Sequence, residues 1–449
     1  MLRRNLLAFL VCYAMAPCAI ASADSLKNVL ARAYLSNPIL QAARAKLRAK
    51  DEEVAEAVSG WRPKVTFKYD LEKSKIDPGS GTQNRTPRTG SITVKQNLFN
   101  GWRTQLSVKK AEETVLGQRA ELASTEQKVL LEAGTAYTDV IRDRAVLKLN
   151  KSNKRVLRRQ LQATKDRFDV GEVTITDVAQ AESRLSRAIA EGIKAQGTLT
   201  ISRAVYKNVI GDFPVDLKDA SPLRGLPSNR EEAIALARGN NPKIKKAIYN
   251  ERMSKIAIKN SEGALYPTID LEGEISRRDQ TSSETNSAEE ASIKATFSFP
   301  LYQSGAASAR IRSAKATWNQ ERRNLDAAIR LTIQETSQSW ERHVTAKAQV
   351  TAFASAVRAA EIALEGVKQE AKVGSRTVLD VLDAEQELMD ARVSLIRARR
   401  NITVASMELR QSIGTLIASK MKLDVKLYDP KKYYIRSRDR WSGTTVERK

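Results

Sequence analysis

The sequence lacks most of the residues from which catalytic and metal sites are built. Its 449 residues include only two cysteines and one histidine. The histidine, His343, stands in a helical context without the partners that would complete a zinc or iron site. The sequence contains no Gly-rich phosphate loop, nucleophile elbow or catalytic dyad. These absences argue against an enzyme, and we expect no cofactor and no metal.

The N-terminus carries the signs of export from the cytoplasm. Two arginines precede an apolar stretch over residues 6–20, and the small residues 21–23 end it as a cleavage site. The stretch is short for a membrane-spanning helix. We therefore predict that residues 1–23 are a signal peptide. Because Cys12 and Cys18 both lie in it, the mature chain would have neither a disulfide nor a thiolate metal site.

Acidic residues are few relative to basic ones. The chain has 76 lysines and arginines against 52 aspartates and glutamates, a formal net charge of +24. Such an excess of positive charge ordinarily suggests a nucleic-acid-binding protein, but a secretory signal argues against it. In an exported protein, basic residues serve solvated helix faces, lipid phosphates, anionic cargo or partner surfaces. We predict no nucleic-acid partner, and keep a basic nucleic-acid-binding coiled coil as an alternative.

Proline is absent from two long stretches, residues 88–213 and 301–429. Because proline interrupts helices, this absence predicts two long helical hairpins. A continuous helix over residues 101–168 would rise about 100 Å at 1.5 Å per residue, far more than a globular domain needs.

A heptad pattern predicts how these helices pack. Large and small side chains alternate along the seam: Leu388, Leu395, Ile402 and Leu409 with Ala391, Ala398 and Ala405, and in the first hairpin Leu185, Gly192, Leu199 and Tyr206 with Ala188, Ala195 and Ser202. This alternation lets helices approach closely. A generic coiled coil explains the seam equally well, so the pattern does not by itself indicate a function.

The chain contains one unit twice. The matched landmarks are Asn37-Pro38 with Asn241-Pro242, Arg62-Pro63 with Tyr266-Pro267, Val170-Gly171 with Val373-Gly374, Asp177 with Asp380, Ala181-Glu182 with Ala384-Glu385, and Ile210-Gly211 with Ile413-Gly414. Each unit reads helix, strand, loop, strand, very long helix, tight tip and long helix.

The landmarks divide the mature chain into four parts. We predict a first repeat over residues 24–211, a linker over residues 212–229 and a second repeat over residues 230–415. A basic C-terminal tail, residues 416–449, has no partner in the repeat and no heptad. We expect it to be a disordered and dispensable extension.

Four runs of about ten residues alternate apolar with polar side chains, as tilted membrane-spanning strands do. Their apolar members are Val65, Phe67, Tyr69 and Leu71; Ile92, Val94, Leu98 and Phe99; Ile269, Leu271 and Ile275; and Ile293, Ala295, Phe297, Phe299 and Leu301. Residues 76–90 and 277–290 have the polar composition of exposed hairpin loops.

Four strands cannot close a membrane barrel, and an open sheet edge is forbidden in lipid, so the chain must oligomerise. A soluble four-stranded sheet with one wet face fits the same alternation. The aromatic residues Trp61, Trp102, Tyr266 and Tyr302, which flank the strands, favour the membrane interpretation because such residues gather at membrane interfaces.

Two segments resemble the hairpin-tip signature of TolC-type outer-membrane export channels. They are Val373-Gly374-Ser375-Arg376-Thr377-Val378-Leu379-Asp380-Val381-Leu382-Asp383-Ala384-Glu385 and its partner, residues 168–182. With the duplicated strand pairs, the resemblance covers residues 25–415. It implies a mixed α/β membrane protein: a homotrimer with a 12-stranded β-barrel, four strands per chain, continued by a long α-helical periplasmic barrel.

The resemblance also implies partners and roles. Members of the TolC family lie in the outer membrane, extend into the periplasm, and bind a periplasmic adaptor and an inner-membrane ABC exporter or proton-driven pump. They export proteins or small molecules and perform no chemistry. A periplasmic adaptor is the alternative, although adaptors usually carry one hairpin and this chain has two.

Six residues match functional positions of the family. They are the periplasmic gate links Asp177 and Arg376, the constriction acids Asp380 and Asp383, and the hairpin-tip glycines Gly171 and Gly374. Arg376 has an alternative role, because it lies four residues before Asp380 and could pair with it in its own chain. Ala371 stands where the best-known member has a tyrosine near this gate, so we expect the closed-state network to be thinner or differently wired.

Overall fold

The computed structural model describes residues 24–76, 79, 83–280 and 287–445; the predicted signal peptide lies outside them. The first half contains α1 (Leu26–Ser36), α2 (Pro38–Ser59), β1 (Lys64–Leu71), β2 (Ser74–Ile76), β3 (Gln83–Arg85), β4 (Arg88–Asn100), α3 (Arg103–Asp169) and α4 (Ile175–Ile210). The second contains α5 (Arg230–Asn240), α6 (Pro242–Glu262), β5 (Thr268–Asp279), β6 (Ser287–Ser298), α7 (Ala306–Lys372) and α8 (Val378–Ser412), followed by α9 (Ala418–Met421) and α10 (Lys432–Ser437).

The predicted order of elements is confirmed in both halves, with each opening helix divided in two at its Asn-Pro pair. The two longest helices, α3 and α7, have 67 residues each and therefore rise about 100 Å. Each packs antiparallel against the helix that follows it, and the heptad side chains Leu199, Tyr206, Leu388 and Leu409 are buried. None of the helices in the described ranges is long and apolar enough to cross a membrane.

The duplicated Asn-Pro pair joins helices end to end. The Asn37 side-chain carbonyl accepts a hydrogen bond from the Ile39 N–H (3.0 Å), which begins α2, while its amide donates to the Val209 carbonyl (2.9 Å) in the last turn of α4. One buried side chain thus satisfies unpaired groups at two helix ends. The following proline suits the first helical position, where an N–H would have no partner.

Asn241 repeats this arrangement between α6 and α8. Its carbonyl accepts from the Lys243 N–H (2.8 Å) and its amide donates to the Ser412 carbonyl (2.7 Å). The junction is tight, because a Cβ added at Gly414 would lie 2.6 Å from the carbonyl carbon of Asn240. Two pairs of shorter helices, α2 with α4 and α6 with α8, therefore form continuous columns beside the single helices α3 and α7.

We predict that Asn37→Asp destabilises the protein measurably, although aspartate is as good an N-cap as asparagine. The carboxylate keeps the bond to Ile39 but cannot donate to the Val209 carbonyl. Asn37→Ala loses both bonds and should lower the free energy of unfolding by about 1–3 kcal/mol. Denaturant-induced loss of the helical circular dichroism signal measures both effects. An Asn37→Asp variant as stable as wild type would show that the bond to α4 contributes nothing.

The principal sheet is antiparallel, with the order β1-β4-β5-β6, and all four strands join the helices at the same end. The strands extend further than the sequence predicted. β4 begins at Arg88, β5 ends at Asp279 and β6 begins at Ser287, so the predicted loop bounds of residues 76–90 and 277–290 are wrong there. Ion pairs across the β5–β6 ladder account for these polar strand ends.

Other parts of the two predicted loops lie outside the described residues. Next to the first of them, β2 and β3 pair as a small second sheet that the sequence did not predict. At the other end, Leu301 lies beyond the end of β6, so the predicted apolar stripe is longer than the strand.

The prediction that the C-terminal tail is disordered is wrong. Residues 416–445, here called the C-terminal strap, pack along α2 and α3 through buried apolar side chains: Leu416, Ala418, Met421 and Leu423. The strap is also anchored by polar contacts. The Tyr428 N–H donates to the Tyr34 hydroxyl (2.9 Å), and the Tyr433 hydroxyl donates to Glu52 (2.5 Å). The basic composition of the tail concealed these anchors.

We predict that Leu423→Ala lowers the free energy of unfolding by about 2–5 kcal/mol, the usual cost of removing a buried leucine side chain. Leu423 is 7% exposed in the main core. Leu427, in the same strap but 48% exposed, is the matched control, and Leu427→Ala should change stability by less than about 0.5 kcal/mol. Equal effects in chemical denaturation would contradict the packing of the strap.

Candidate functional site

The four-stranded sheet has one apolar and one polar face. Strand register places Val65, Val94, Gly273 and Ile293 in one row across the four strands. The next row on the same face consists of Phe67, Ile92, Ile275 and Ala291. The large side chains of both rows are exposed in the single chain. A contiguous exposed apolar face of this kind marks a surface that meets lipid or another protein.

The opposite face carries charge. Lys64, Lys95, Glu272 and Lys294 form one row across it. Lys95 and Glu272 lie 3.8 Å apart and pair across the ladder. An apolar outer face with a polar inner face is the pattern of a membrane barrel around water. At 12 or 13 residues, β4, β5 and β6 extend about 40 Å, enough to cross about 30 Å of hydrocarbon when tilted.

At the far end of the long helices, the two hairpin tips have the same backbone geometry. Gly171 and Gly374 both have positive φ, +78° and +81°. Each follows the end of a 67-residue helix and lets the chain reverse, because glycine adopts this conformation without steric cost. A Cβ at either glycine would touch nothing, so backbone conformation alone explains the residue.

Asp177 and Asp380 both begin the helix that follows the tip. The Asp177 carboxylate accepts hydrogen bonds from the Thr174 N–H (2.9 Å) and hydroxyl (2.8 Å). Asp380 accepts the same pair from Thr377, at 2.9 and 2.8 Å. In both tips the threonine hydroxyl also accepts from the aspartate N–H, which completes a capping box. The sequence indicated the repeat of these aspartates but not this role.

The hydrogen bonds from Thr377, first its N–H and then its hydroxyl, lower the pKa of the Asp380 carboxyl below its usual range. Arg376 contributes in the same direction. The charged cap therefore stabilises the tip fully above the ordinary aspartate pKa, and this stabilisation is lost as the pH falls through the lower pKa of the folded state.

The structure does not bring Arg376 to Asp177 within one chain. Arg376 donates instead to Glu370 across its own tip, with 2.8 Å between Nε and Oε2. The first tip has the reverse arrangement, in which Arg167 before the turn donates to Glu172 after it (3.0 Å). Ala371 contributes its carbonyl, which accepts from the Gly374 N–H (3.3 Å).

Asp383 links the two hairpins through a residue that sequence reasoning missed. Arg184 on α4 donates to the Asp383 carboxylate on α8. Beside this pair, Val178 and Ala181 of the first tip pack against Val378 and Leu382 of the second. Asp380 and Asp383 therefore serve different contacts, one within its own tip and one between tips.

A second missed residue is Glu385, which is buried and accepts from Lys368 (2.9 Å between Nζ and Oε1). Its repeat partner, Glu182, is exposed. In the first repeat, the position that corresponds to Asp383 carries no charge. This difference between the repeats was the signal in the sequence that the two tips are not equivalent.

The family model described as outer membrane efflux protein matches residues 29–211 and 233–415, most of the chain. The chain belongs to this family. It is 36% identical over 424 residues to the outer membrane efflux protein BepC of Brucella suis, covering 94% of this chain and 92% of BepC. It is 26% identical over 415 residues to the outer membrane protein TolC of Escherichia coli, covering 88% and 83%.

The fold agrees with solved channels of this kind. The Campylobacter jejuni CmeC outer membrane channel matches with a TM-score of 0.80 at 13% identity, over 92% of this chain and 89% of CmeC. The predicted TolC-like fold class with two repeats is confirmed. This outer membrane efflux protein is thus an efflux or secretion channel of the outer membrane that extends into the periplasm, and the adaptor alternative is wrong. Its family and relatives are transport channels.

We predict that Asp177→Ala and Asp380→Ala each speed amide hydrogen exchange at residues 174–178 or 377–381, because each removes the acceptor that holds the first helical turn. Asp383→Ala is the control, since its carboxylate contacts Arg184 and caps no helix. Exchange in its tip should stay as in wild type. Equal exchange in all three variants, measured by mass spectrometry, would refute the capping role.

Proposed function

We propose that three copies of this chain form one closed channel, which exports proteins or small molecules across the outer membrane from a tripartite complex. The observation that carries this proposal is the state of the sheet edges. β1 pairs only with β4, and β6 pairs only with β5, among the described residues. Each chain therefore offers one free strand edge on either side.

The free strand edges must find a partner if the sheet lies in lipid. An unpaired backbone group in hydrocarbon costs several kcal/mol, and each edge strand presents a row of them. Pairing β1 of one copy with β6 of the next satisfies both edges at once. Three copies give twelve strands, a number within the range of known membrane barrels, and put the charged face around a water-filled lumen.

The helices support the same arrangement. The column of α2 and α4 lies at one side of each chain, followed by α3, the column of α6 and α8, and α7. Each chain thus supplies four helical columns below its four strands. Three copies supply twelve, and the outer columns would meet their neighbours as the edge strands do.

The tips form the gate of the proposed channel. In each chain Arg184 and Asp383 hold the two tips together, and the exposed Arg376 and the half-buried Asp177 are available to a neighbouring copy. On closure Arg376 would exchange Glu370 for the neighbour's Asp177. Exposed ion pairs contribute about 0 to 1 kcal/mol each, so three such links leave a gate that a partner can open.

The partners follow from this position. We propose that the tips meet a periplasmic adaptor and, through it, an inner-membrane ABC exporter or proton-driven pump. Asp380 and Asp383 of three chains would place six carboxylates at the narrow end. A constriction with this charge favours cations even in a basic protein, because more distant charges are screened beyond about 8 to 10 Å.

Cysteine cross-linking tests closure directly, because the mature chain is predicted to contain no cysteine. One cysteine is placed on β1, as in Thr66→Cys, and one on β6, with the β6 position scanned from Ser287 to Ser298 to find the register. Oxidation in native outer membranes should give covalent dimers and trimers and nothing larger, since three copies close the ring.

The control carries both cysteines on β1, as in Thr66→Cys with Lys68→Cys. It should give no covalent dimers or trimers, because β1 strands do not meet in the proposed ring. Cross-linked products of more than three chains would indicate an open array. The absence of cross-links at every β6 position would contradict pairing of the edges.

A further inference from the structure

The C-terminal strap ends at the level where the chain enters the membrane. Arg62 directly precedes Pro63 and β1. Its Nη1 donates to the Arg440 carbonyl (2.6 Å), and its guanidinium carbon lies 4.8 Å from the centre of the Trp441 ring. The strap therefore runs from the core beside α3 to the foot of the sheet. Trp441 is left 73% exposed there.

Trp441 joins a set of exposed aromatic side chains at this level. Trp61 and Tyr266 precede β1 and β5, and Trp102 and Tyr302 follow β4 and β6; all four are exposed. Aromatic rings are enriched at this depth because their apolar ring and polar N–H or O–H suit the boundary between hydrocarbon and water. Trp441 adds a fifth ring that belongs to no strand.

The strap also carries positive charge to this level. Arg440 donates to the carbonyls of Ser442 (3.2 Å) and Thr445 (3.0 Å), and in the part of the chain that the structure describes its charge meets no carboxylate. Lys431 and Lys432, exposed at the start of α10, form no ion pair within the described ranges. Only one acidic residue, Asp439, lies among residues 431–441.

The height of α10 can be judged from its contact with α2. Tyr433 binds Glu52, seven residues before the end of α2, which places α10 about 10 Å below the foot of the sheet. On its inner side Tyr433 and Tyr434 bind Glu52 and Glu112. On its outer side Ile435 is exposed beside the lysines. This mixture of basic and apolar side chains is typical of a segment that lies on a membrane surface.

We propose that the end of the C-terminal strap binds anionic phospholipid headgroups in the periplasmic leaflet of the outer membrane. This inference rests on the proposed function, which sets the sheet in that membrane. The side chains of Lys431, Lys432 and Arg440 attract lipid phosphates, and Trp441 enters the boundary region. A hydrated polyanion such as a cell-wall polymer would match the charge but not the exposed Trp441 and Ile435.

Spin labels on the mature chain in lipid nanodiscs test the proposal. Ser442→Cys places a label beside Trp441, and Ser419→Cys places a control on an exposed residue at the other end of the strap. Phe67→Cys reports on the apolar face of β1. In phosphatidylethanolamine containing phosphatidylglycerol, the 442 label should be accessible to oxygen and shielded from an aqueous nickel chelate. The 419 label should be accessible to the chelate.

The three labels separate the possible failures. A 67 label exposed to water would overturn the proposed function itself. If the label at residue 67 lies in lipid but the label at residue 442 is as accessible to the nickel chelate as the label at residue 419, only the strap proposal is overturned. A 442 label shielded from both reagents in every lipid, and in detergent, would show that a second copy of the chain covers Trp441 and would also overturn it.

The charge requirement has its own matched pair of variants. Phosphatidylglycerol is titrated into the nanodiscs while the 442 label is followed. The variant K432Q/R440Q should need about fivefold more anionic lipid, or more, for half-maximal shielding. The variant K420Q/K422Q removes two charges from the far end of the strap and should titrate as wild type. Identical titrations for the two variants would overturn the proposal.

Discussion

In hydrocarbon, a backbone N–H or carbonyl without a partner costs several kcal/mol, and this constraint governs the design of the chain. Among the described residues, the four-stranded sheet leaves two edges unpaired, so one copy could not cross the membrane alone. The duplication supplies two strand pairs and two hairpins in one chain, which keeps every strand attached to a helical column. In the proposed channel, assembly into a closed ring is therefore a condition for insertion into the membrane.

The periplasmic part depends on continuity between helices. Asn37 and Asn241 each bond to two helix ends, so that two shorter helices follow one another in a single column. At the tips, the carboxylates of Asp177 and Asp380 cap the N-termini of α4 and α8 through contacts within the same chain. The ion pair between Arg184 and Asp383 joins the two hairpins. In the proposed channel, the gate is thus built on tips that are already ordered in the single chain, and weak exposed ion pairs between chains would control its closure.

Much of this fold could be predicted from the sequence because its signals are periodic and duplicated. The proline-free stretches predicted the long helices, and the alternation of apolar with polar side chains predicted the strands. The tail could not be predicted in this way. Leu416 and Leu423 keep the seven-residue spacing of Leu409, but α8 ends at Ser412, so this spacing no longer reflects a helix, and both leucines bury themselves through tertiary contacts. Arg184 escaped notice because its partner lies in the other repeat. The Asn-Pro pair was recognised as a repeat, but its bonds to α4 and α8 depend on tertiary contacts.

The central claim is that the functional channel is a closed assembly of three chains. Light scattering of the protein extracted from outer membranes in mild detergent, corrected for bound detergent, measures the number of chains per particle. The account predicts three, with no free monomer, because a single chain would expose two unpaired strand edges. A stable, folded monomer under these conditions would contradict it.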